Sequence, residues 1–408
     1  MKLRLNIFVL FISIFTSSIF GGGFQINEHS ARAMAMGGAF TGLANDASAI
    51  YFNAAGLTQL NGTHFLFGTT LIAPSSSWTS GGPEFKTDDQ LFFPTHIFVS
   101  HRATDNIALG IGFTTPFGLG TKWDANWPGR YDAIQTDLKV FTISPVVALK
   151  VSDQLSLSAG LVYSWANVTI TQKAPIPNAF GGGDALVTLE GKDNSAFGFN
   201  LGLFYKPSSE VSFGLSFHSQ LKYNFEGTAT TSGLPSPALA PAYPNGPITA
   251  DLTAPFNLTG GIAYQISPKV KLLADVQFVG WSSFDTLKIV YTTSGASTPT
   301  PRMYDNSFIV RLGTEIEATE KLSLGAGMYF DKSPVKEDYV DPQLPEGNRL
   351  GFTLGLGYKI NENVTVNASY LFIYNNQVNV TTSKISPPFN GTYNSHAHLA
   401  SIGLSIGI

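Results

Sequence analysis

The chain of 408 residues has no cysteine, which excludes disulfides, thiolate metal centres and cysteine nucleophiles. Charge is also scarce. Asp, Glu, Lys and Arg make up 13% of the residues, against roughly 25% in an average soluble domain. With 24 basic and 28 acidic residues, there is no basic footprint for nucleic acid. Beyond the N-terminus no apolar run reaches the ~18 residues of a helical membrane span. No Gly-x-Ser-x-Gly elbow, His-Glu-x-x-His helix or Walker-type loop occurs. The run Gly181-Gly182-Gly183 is not followed by Lys-Ser or Lys-Thr. No enzyme, cofactor or metal site is therefore expected. What is abundant is apolar: 43% hydrophobic residues, with 41 Gly, 31 Phe and 15 Tyr. High apolarity without a long run fits a transmembrane β-barrel.

The first residues carry Lys2 and Arg4, an apolar stretch from Ile7 to Phe15, then Thr16-Ser17-Ser18. This reads as a secretory signal, residues 1–21, with cleavage leaving Gly22 first. The stretch is too short to cross a bilayer as a helix. Without Lys2 and Arg4 the balance is 22 basic to 28 acidic residues, a net charge of −6. The next stretch, Gly22 to Leu60, is rich in Ala and Gly and poor in β-branched residues. Ala33 to Ala39 and Asp46 to Tyr51 each suggest a short helix. At about 39 residues the stretch cannot bury a core of its own. It is expected to be a small helical hatch inside the cylinder formed by residues 61–408.

From Asn61 onward the hydrophobic period is two. Leu155, Leu157, Ala159, Leu161, Tyr163 and Trp165 alternate with small or polar residues. The same holds for Phe197 to Tyr205, Leu350 to Tyr358 and Val364 to Phe372. Turns then separate a membrane barrel from a soluble one. Six short polar turns (Arg102–Asn106, Ser152–Gln154, Pro207–Glu210, Ser267–Lys269, Ala318–Lys321 and Asn361–Asn363) alternate with seven long irregular stretches. Those long stretches include Pro74–Gln90, Thr115–Asp137, Gln172–Lys192, Glu226–Thr249 and Asp285–Asp305. The count predicts an all-β fold, a 14-stranded antiparallel transmembrane β-barrel with short periplasmic turns and long outer loops. Ala400, Ile402, Leu404, Ile406 and Ile408 share one face of a final strand suited to closure on the first. The location expected is the outer membrane, and the state a monomer in contact with lipid.

The segments GGFQINEHSARAMAMGGAF and YFNAAGLTQL resemble the start of the FadL/TodX family of outer-membrane transporters of hydrophobic compounds. Pro116-Phe117-Gly118-Leu119, Trp127-Pro128-Gly129-Arg130-Tyr131, Val310-Arg311-Leu312-Gly313 and Phe330-Asp331-Lys332-Ser333-Pro334-Val335 resemble later parts of it in the same order. The family's Asn-Pro-Ala hatch motif corresponds to Asn53-Ala54-Ala55, where Ala54 removes the fixed φ of a proline. The resemblance implies passive uptake of a hydrophobic ligand, long-chain fatty acids first and neutral aromatic hydrocarbons as the alternative. A non-transport structural or adhesin barrel is the remaining reading. Capture would occur in outer loops, with Phe117, Trp123 and Trp127 as aromatic contacts. Phe24 would touch the ligand in the lumen. Asn53 would hold the hatch near the third strand. Exit would be sideways at that strand, Ile107 to Gly118, where Gly110, Gly112 and Pro116 permit a bend or missing ladder bonds.

Arg311 alternates with outward Val310 and Leu312, so it faces the lumen. Its guanidinium suits a carboxylate head group, or an ion pair with Asp275 on the preceding strand. His396 and His398 share a strand face, as a solvated pair at the rim or a weak metal pair. His218 is expected to face the lumen.

Overall fold

The computed structural model describes residues 22–408; the expected signal, residues 1–21, lies outside the described residues. Fourteen antiparallel strands close into a barrel. In order they are β1 (Thr63–Thr79), β2 (Thr95–Arg102), β3 in two segments (Ile107–Thr114 and Gly118–Lys122), β4 (Gln135–Lys150), β5 (Leu155–Pro175) and β6 (Asp184–Tyr205). Next come β7 (Val211–His218 and Leu221–Ser232), β8 (Gly246–Ala254 and Asn257–Ser267), β9 (Val270–Val279 and Thr286–Tyr291) and β10 (Ser297–Pro301 and Ser307–Glu317). The last are β11 (Leu322–Asp331), β12 (Arg349–Lys359), β13 (Val364–Asn375) and β14 (Gly391–Gly407). β14 pairs with β1 from His64–Gly407 to Thr79–Thr392. That closure matters because lipid offers no partner to an open edge.

The alternating residues take the phase expected of them. Leu161 and Phe197 are 70% and 71% exposed on the outer face, whereas Ser158 and Asn200 on the same strands are buried inside. Short and long connections alternate as expected. Several strands nevertheless run further outward than anticipated. Parts of Gln172–Lys192, Glu226–Thr249 and Asp285–Asp305 belong to the ladder. Above the apolar band the outer face meets water, so Lys192, Lys222 and Glu226 point outward there. The apolar alternation stops while the hydrogen bonds continue.

The segment before β1 fills the lumen. Helix α1 (Ala31–Ala35) starts at Ser30, whose hydroxyl accepts from Ala33 N–H. It ends earlier than expected because Gly37 and Gly38 take φ of +68° and +75°, a conformation suited to glycine. Helix α2 (Ala49–Phe52) starts later than expected. The Asp46 carboxylate accepts from the backbone and hydroxyl of Ser48 and holds that turn. A 3₁₀ turn, Ala54–Gln59, follows, capped by Asn53. Inward glycines of the wall admit the hatch backbone. A Cβ on Gly214 would lie 2.0 Å from the Thr41 carbonyl oxygen, and one on Gly313 would lie 2.2 Å from that of Met36.

Candidate functional site

Hatch and wall are joined by polar contacts distributed around the lumen. Arg32 donates to both oxygens of Glu315 on β10, at 2.7 and 3.0 Å. Lys271 on β9 donates to the same carboxylate at 2.7 Å. The Asp275 carboxylate accepts from the backbone of Phe40 at 3.1 Å and of Thr41 at 2.9 Å. Gly37 N–H donates to the Thr353 hydroxyl, which donates to the Ala35 carbonyl, each at 3.0 Å. Asn53 donates to the Leu203 carbonyl on β6 at 2.9 Å and to that of Thr41 at 3.2 Å. Asn53 thus ties the hatch to β6, where the third strand was expected. Ala54 and Ala55 are buried and form the turn behind it.

The third strand is where the wall changes. Its ladder to β2 runs up to Ile97–Phe113 and stops. Thr115, Pro116 and Phe117 leave the strand, and the upper segment pairs with β4 alone among the strands. The hatch supplies the other partner. Ile26 N–H donates to the Pro116 carbonyl at 2.9 Å, and Gly118 N–H donates to the Phe24 carbonyl at 3.0 Å. Gln25 bridges Phe117. Gly110 and Gly112 do not make this break. They lie in an intact ladder on both sides, and their missing side chains leave room for Ile50 of the hatch. Pro116 lies in the break itself.

A cavity of about 340 Å³ occupies this region. Its lining includes lumen residues Phe24, Tyr329 and Leu399, and residues of the outer face, Phe93 and Phe141. It therefore passes through the wall above the last β2–β3 pair. Phe92 screens it: a Cβ on Gly120 would stand 1.9 Å from the Phe92 ring. Higher up, a cavity of about 90 Å³ has an almost wholly apolar lining that includes Leu138, Phe225, Leu252 and Phe284. Phe24 lines both cavities. Its ring packs edge-on against Trp281 at 4.7 Å, Phe284 at 5.6 Å and Phe117 at 6.0 Å.

Trp123 and Trp127 are not on an exposed loop groove. They stack on each other at 4.1 Å, fully buried, with indole N–H groups donating to the carbonyls of Pro342 and Ala133. They form the core of a cap in which the β11–β12 loop crosses the mouth. Arg302 pairs there with Asp341 and donates to Gln343. Asp132 sits beside this pair. Burial, reinforced by the Asp341 charge and opposed by Arg302, pushes its carboxyl up to about 7. At the inner end of the same loop, Glu346 pairs with Arg349 and burial pushes it to about 7 as well.

Arg311 faces the lumen as expected and is buried. Asp275 lies opposite it in register, but the two form no ion pair: Asp275 Oδ2 accepts from the hatch backbone, and its Oδ1 has no hydrogen-bond partner among the described residues. Arg32, Glu315 and Lys271 form one lumen ion-pair network, and Arg349 with Glu346 and Asp331 forms another. Among the described residues no carboxylate lies within 4 Å of Arg311, and its side chain borders a cavity of about 80 Å³ shared with Gln25, His218 and Gln277. His218 thus faces the lumen. His396 and His398 lie on the outward phase, with His398 Nδ1 bonded to the Tyr370 hydroxyl at 2.6 Å. Sequence reasoning missed Arg32, Glu315, Glu346 and Arg349. An arginine in a hatch whose walls carry inward carboxylates was the available signal.

The family model described as outer membrane protein transport protein (OMPP1/FadL/TodX) matches residues 12–406. A long-chain fatty acid transport protein of Escherichia coli is 22% identical, over 90% of this chain and 91% of its own. Among solved structures, a FadL homologue of Pseudomonas aeruginosa superposes with a TM-score of 0.83 at 20% identity, covering 96% of this chain and 100% of that one. A toluene transporter of Pseudomonas putida, TodX, gives 0.74 at 17% identity over 94% and 99%. At these identities the structural likeness is one of fold.

Proposed function

This chain belongs to the OMPP1/FadL/TodX family of outer membrane transport proteins, and from that premise we propose a route for its solute. Passive transport of hydrophobic compounds across the outer membrane is its function. The solute enters under the cap into the apolar cavity, passes Phe24, and leaves sideways through the wall above the last β2–β3 pair. The observation that carries this reading is the cavity bordered at once by Phe24 inside and by Phe93 and Phe141 outside. The physical reason is desolvation. Burying a methylene gains about 0.8 kcal/mol, so releasing a chain of ~14 methylenes into water costs ~11 kcal/mol. Release into the bilayer avoids that cost.

For the ligand, the unpaired guanidinium of Arg311 favours a long-chain fatty acid, since it can hold a carboxylate through two parallel hydrogen bonds. The apolar cavity between Phe24 and Phe284 favours the second reading, a neutral aromatic hydrocarbon such as the P. putida structure is named for. Binding of a long-chain acid, its alcohol and toluene to wild type and Arg311→Ala separates them. Selective loss of the acid supports the first reading. Equal changes for acid and alcohol, with toluene bound, support the second. The route is tested by Phe92→Ala, which should speed transfer of a fluorescent ligand into proteoliposome bilayers with no aqueous acceptor present. Transfer that requires such an acceptor would overturn lateral exit.

A further inference from the structure

Side chains of a strand alternate between its faces, so one inserted residue turns all that follow to the other face. Two neighbouring strands carry such an insertion at different heights. Ser164 of β5 stands opposite Ala196 of β6, and Ala166 opposite Asp193, so β6 has one residue more than β5 there. On β7 the change falls at Ser219 and Gln220: Ser212 and Ser216 are buried before it, Leu221, Tyr223 and Phe225 after it. Because each strand gains one residue, the ladder between them keeps its count. It runs from Tyr205–Phe213 to Asn200–His218 and resumes at Lys192–Glu226. Between the two insertions the strands are out of phase. Ala196 is buried, whereas Lys222, opposite it by that count, is exposed. No ladder pair joins residues 193–199 to residues 219–225.

Side chains stitch the parted strands at both ends. Below, Ser219 N–H donates to the Phe199 carbonyl, and the Ser219 hydroxyl accepts from Phe199 N–H, each at 2.9 Å. Above, the buried Asp193 carboxylate accepts from the backbone N–H groups of Ser195 and Asn224. Between these ties the seam is covered from the lumen by the buried side chain of Leu221. A Cβ on Gly198 would stand 2.7 Å from a Leu221 methyl and 2.6 Å from the Ser219 hydroxyl. The cavity of about 80 Å³ beside Arg311 reaches this seam. It is bordered by Val162 and Leu221 inside and by Phe199, which is exposed on the outer face.

We propose that the β6–β7 seam is a second opening in the wall, through which the hydrocarbon chain of an amphiphile in the Arg311 cavity reaches the bilayer. The lining of that cavity is graded to suit such a ligand. Arg311, Gln277 and Asn257 border one part of it, and Val162, Leu221 and Phe199 another. The head stays among the first group and the tail follows the second. The choice of an acid as the amphiphile rests on the head-group reading of Arg311. The seam is separate from the opening above the last β2–β3 pair, whose outer-face lining is Phe93 and Phe141. It is closed by one apolar side chain rather than by a backbone ladder, so a rotation of Leu221 opens it without unpairing either strand from its other neighbour.

The test is photo-crosslinking of the full barrel in proteoliposomes with a long-chain acid that carries a diazirine at its methyl end. Adducts are mapped by peptide mass spectrometry. They are expected on both Leu221 and Phe199, and an excess of the unlabelled acid should suppress them. Gly198→Ala overpacks the seam and should cut both adducts about fivefold, while Phe92→Ala, at the other opening, should leave them unchanged. Adducts confined to Phe93 and Phe141 overturn the proposal. So do adducts on Phe199 without Leu221 that excess acid does not suppress, since they report contact with the bilayer alone. The alcohol of equal length, carrying the same diazirine, separates the two readings. Equal labelling of Leu221 and Phe199 by acid and alcohol removes the head-group role of Arg311 and upholds the seam. Should Gly198→Ala fail to fold, Leu221→Ala carries the test: it uncovers the seam and should raise the Phe199 adduct, and an unchanged adduct overturns the proposal.

Discussion

Replacing Arg32 with alanine removes the two parallel hydrogen bonds to Glu315 and the contacts to Asn45 at 2.9 Å and Asp46 at 3.0 Å. Breaking a buried ion pair costs about 3–5 kcal/mol, and an exposed pair is worth about 0–1 kcal/mol. Arg32 keeps 20% side-chain exposure, Glu315 only 4%, and Lys271 remains beside Glu315 at 2.7 Å. A loss of about 2–3 kcal/mol follows, between those limits. The strand ladder does not involve Arg32, so the loss falls on hatch docking and not on the barrel. It should raise the undocked population about 30–150-fold. The assay is ion conductance across planar bilayers, with protease cleavage within residues 22–60 as the second readout. Heat-modifiable gel mobility should stay that of the wild type. Arg32→Lys keeps the charge but loses the two-pronged geometry and should fall between the two. Wild-type conductance and protection in Arg32→Ala would refute the reasoning, as would loss of the whole barrel.

Asn53→Ala removes the bond to Leu203 and should loosen the rear of the hatch by about 1 kcal/mol, altering uptake in a folded barrel; unchanged uptake counts against a gating role. Arg311→Ala should weaken binding of a long-chain acid at least tenfold and leave the matching alcohol unaffected, read by ligand titration. Asp132 titrates near 7 in the folded cap and near 4 in the unfolded chain. The folded state therefore binds more protons between those values, so stability falls as pH rises from about 4 to 7 and levels off above. Fluorescence of the buried pair Trp123 and Trp127 should report this slope, and Asp132→Asn should flatten it; a slope unchanged by that substitution would exclude Asp132 as its source.

The barrel was legible because each strand carries its own evidence. Leu155 to Trp165 shows its phase without reference to any other part of the chain, and short turns against long loops set the count. Contacts between hatch and wall had no such local signature. Arg32 and Glu315 are far apart in sequence, and nothing near either names the other. The inward phase of Arg311 was readable, but the expected ion pair with Asp275 does not form; Asp275 Oδ2 instead accepts from the Phe40 and Thr41 amides, which any residue could supply. Asn53 bonds a backbone carbonyl on β6 for the same reason: a carbonyl has no residue identity to read. Trp123 and Trp127 looked like exposed loop aromatics because composition cannot say that the β11–β12 loop folds over them. Gly110 and Gly112 looked like bend residues, whereas they lie in an intact ladder and their missing side chains leave room for Ile50.

The upper segment of β3 is hydrogen-bonded on one side by β4 and on the other by the hatch. Hatch and wall therefore share an edge, and on the proposed route a solute that displaces Phe24 would also free the Pro116 carbonyl and the Gly118 amide. Two net backbone hydrogen bonds are worth about 1–3 kcal/mol, so roughly 1–15% of molecules would be unlatched at rest by that term alone. Opening on that route would be a small local melting of the kind that ordinary thermal fluctuation supplies, with no external energy source required. On the proposed route, a ligand that fills the space of Phe24 would have only about 1–3 kcal/mol to offset, and reannealing of the same two bonds would reset the channel once the ligand has gone.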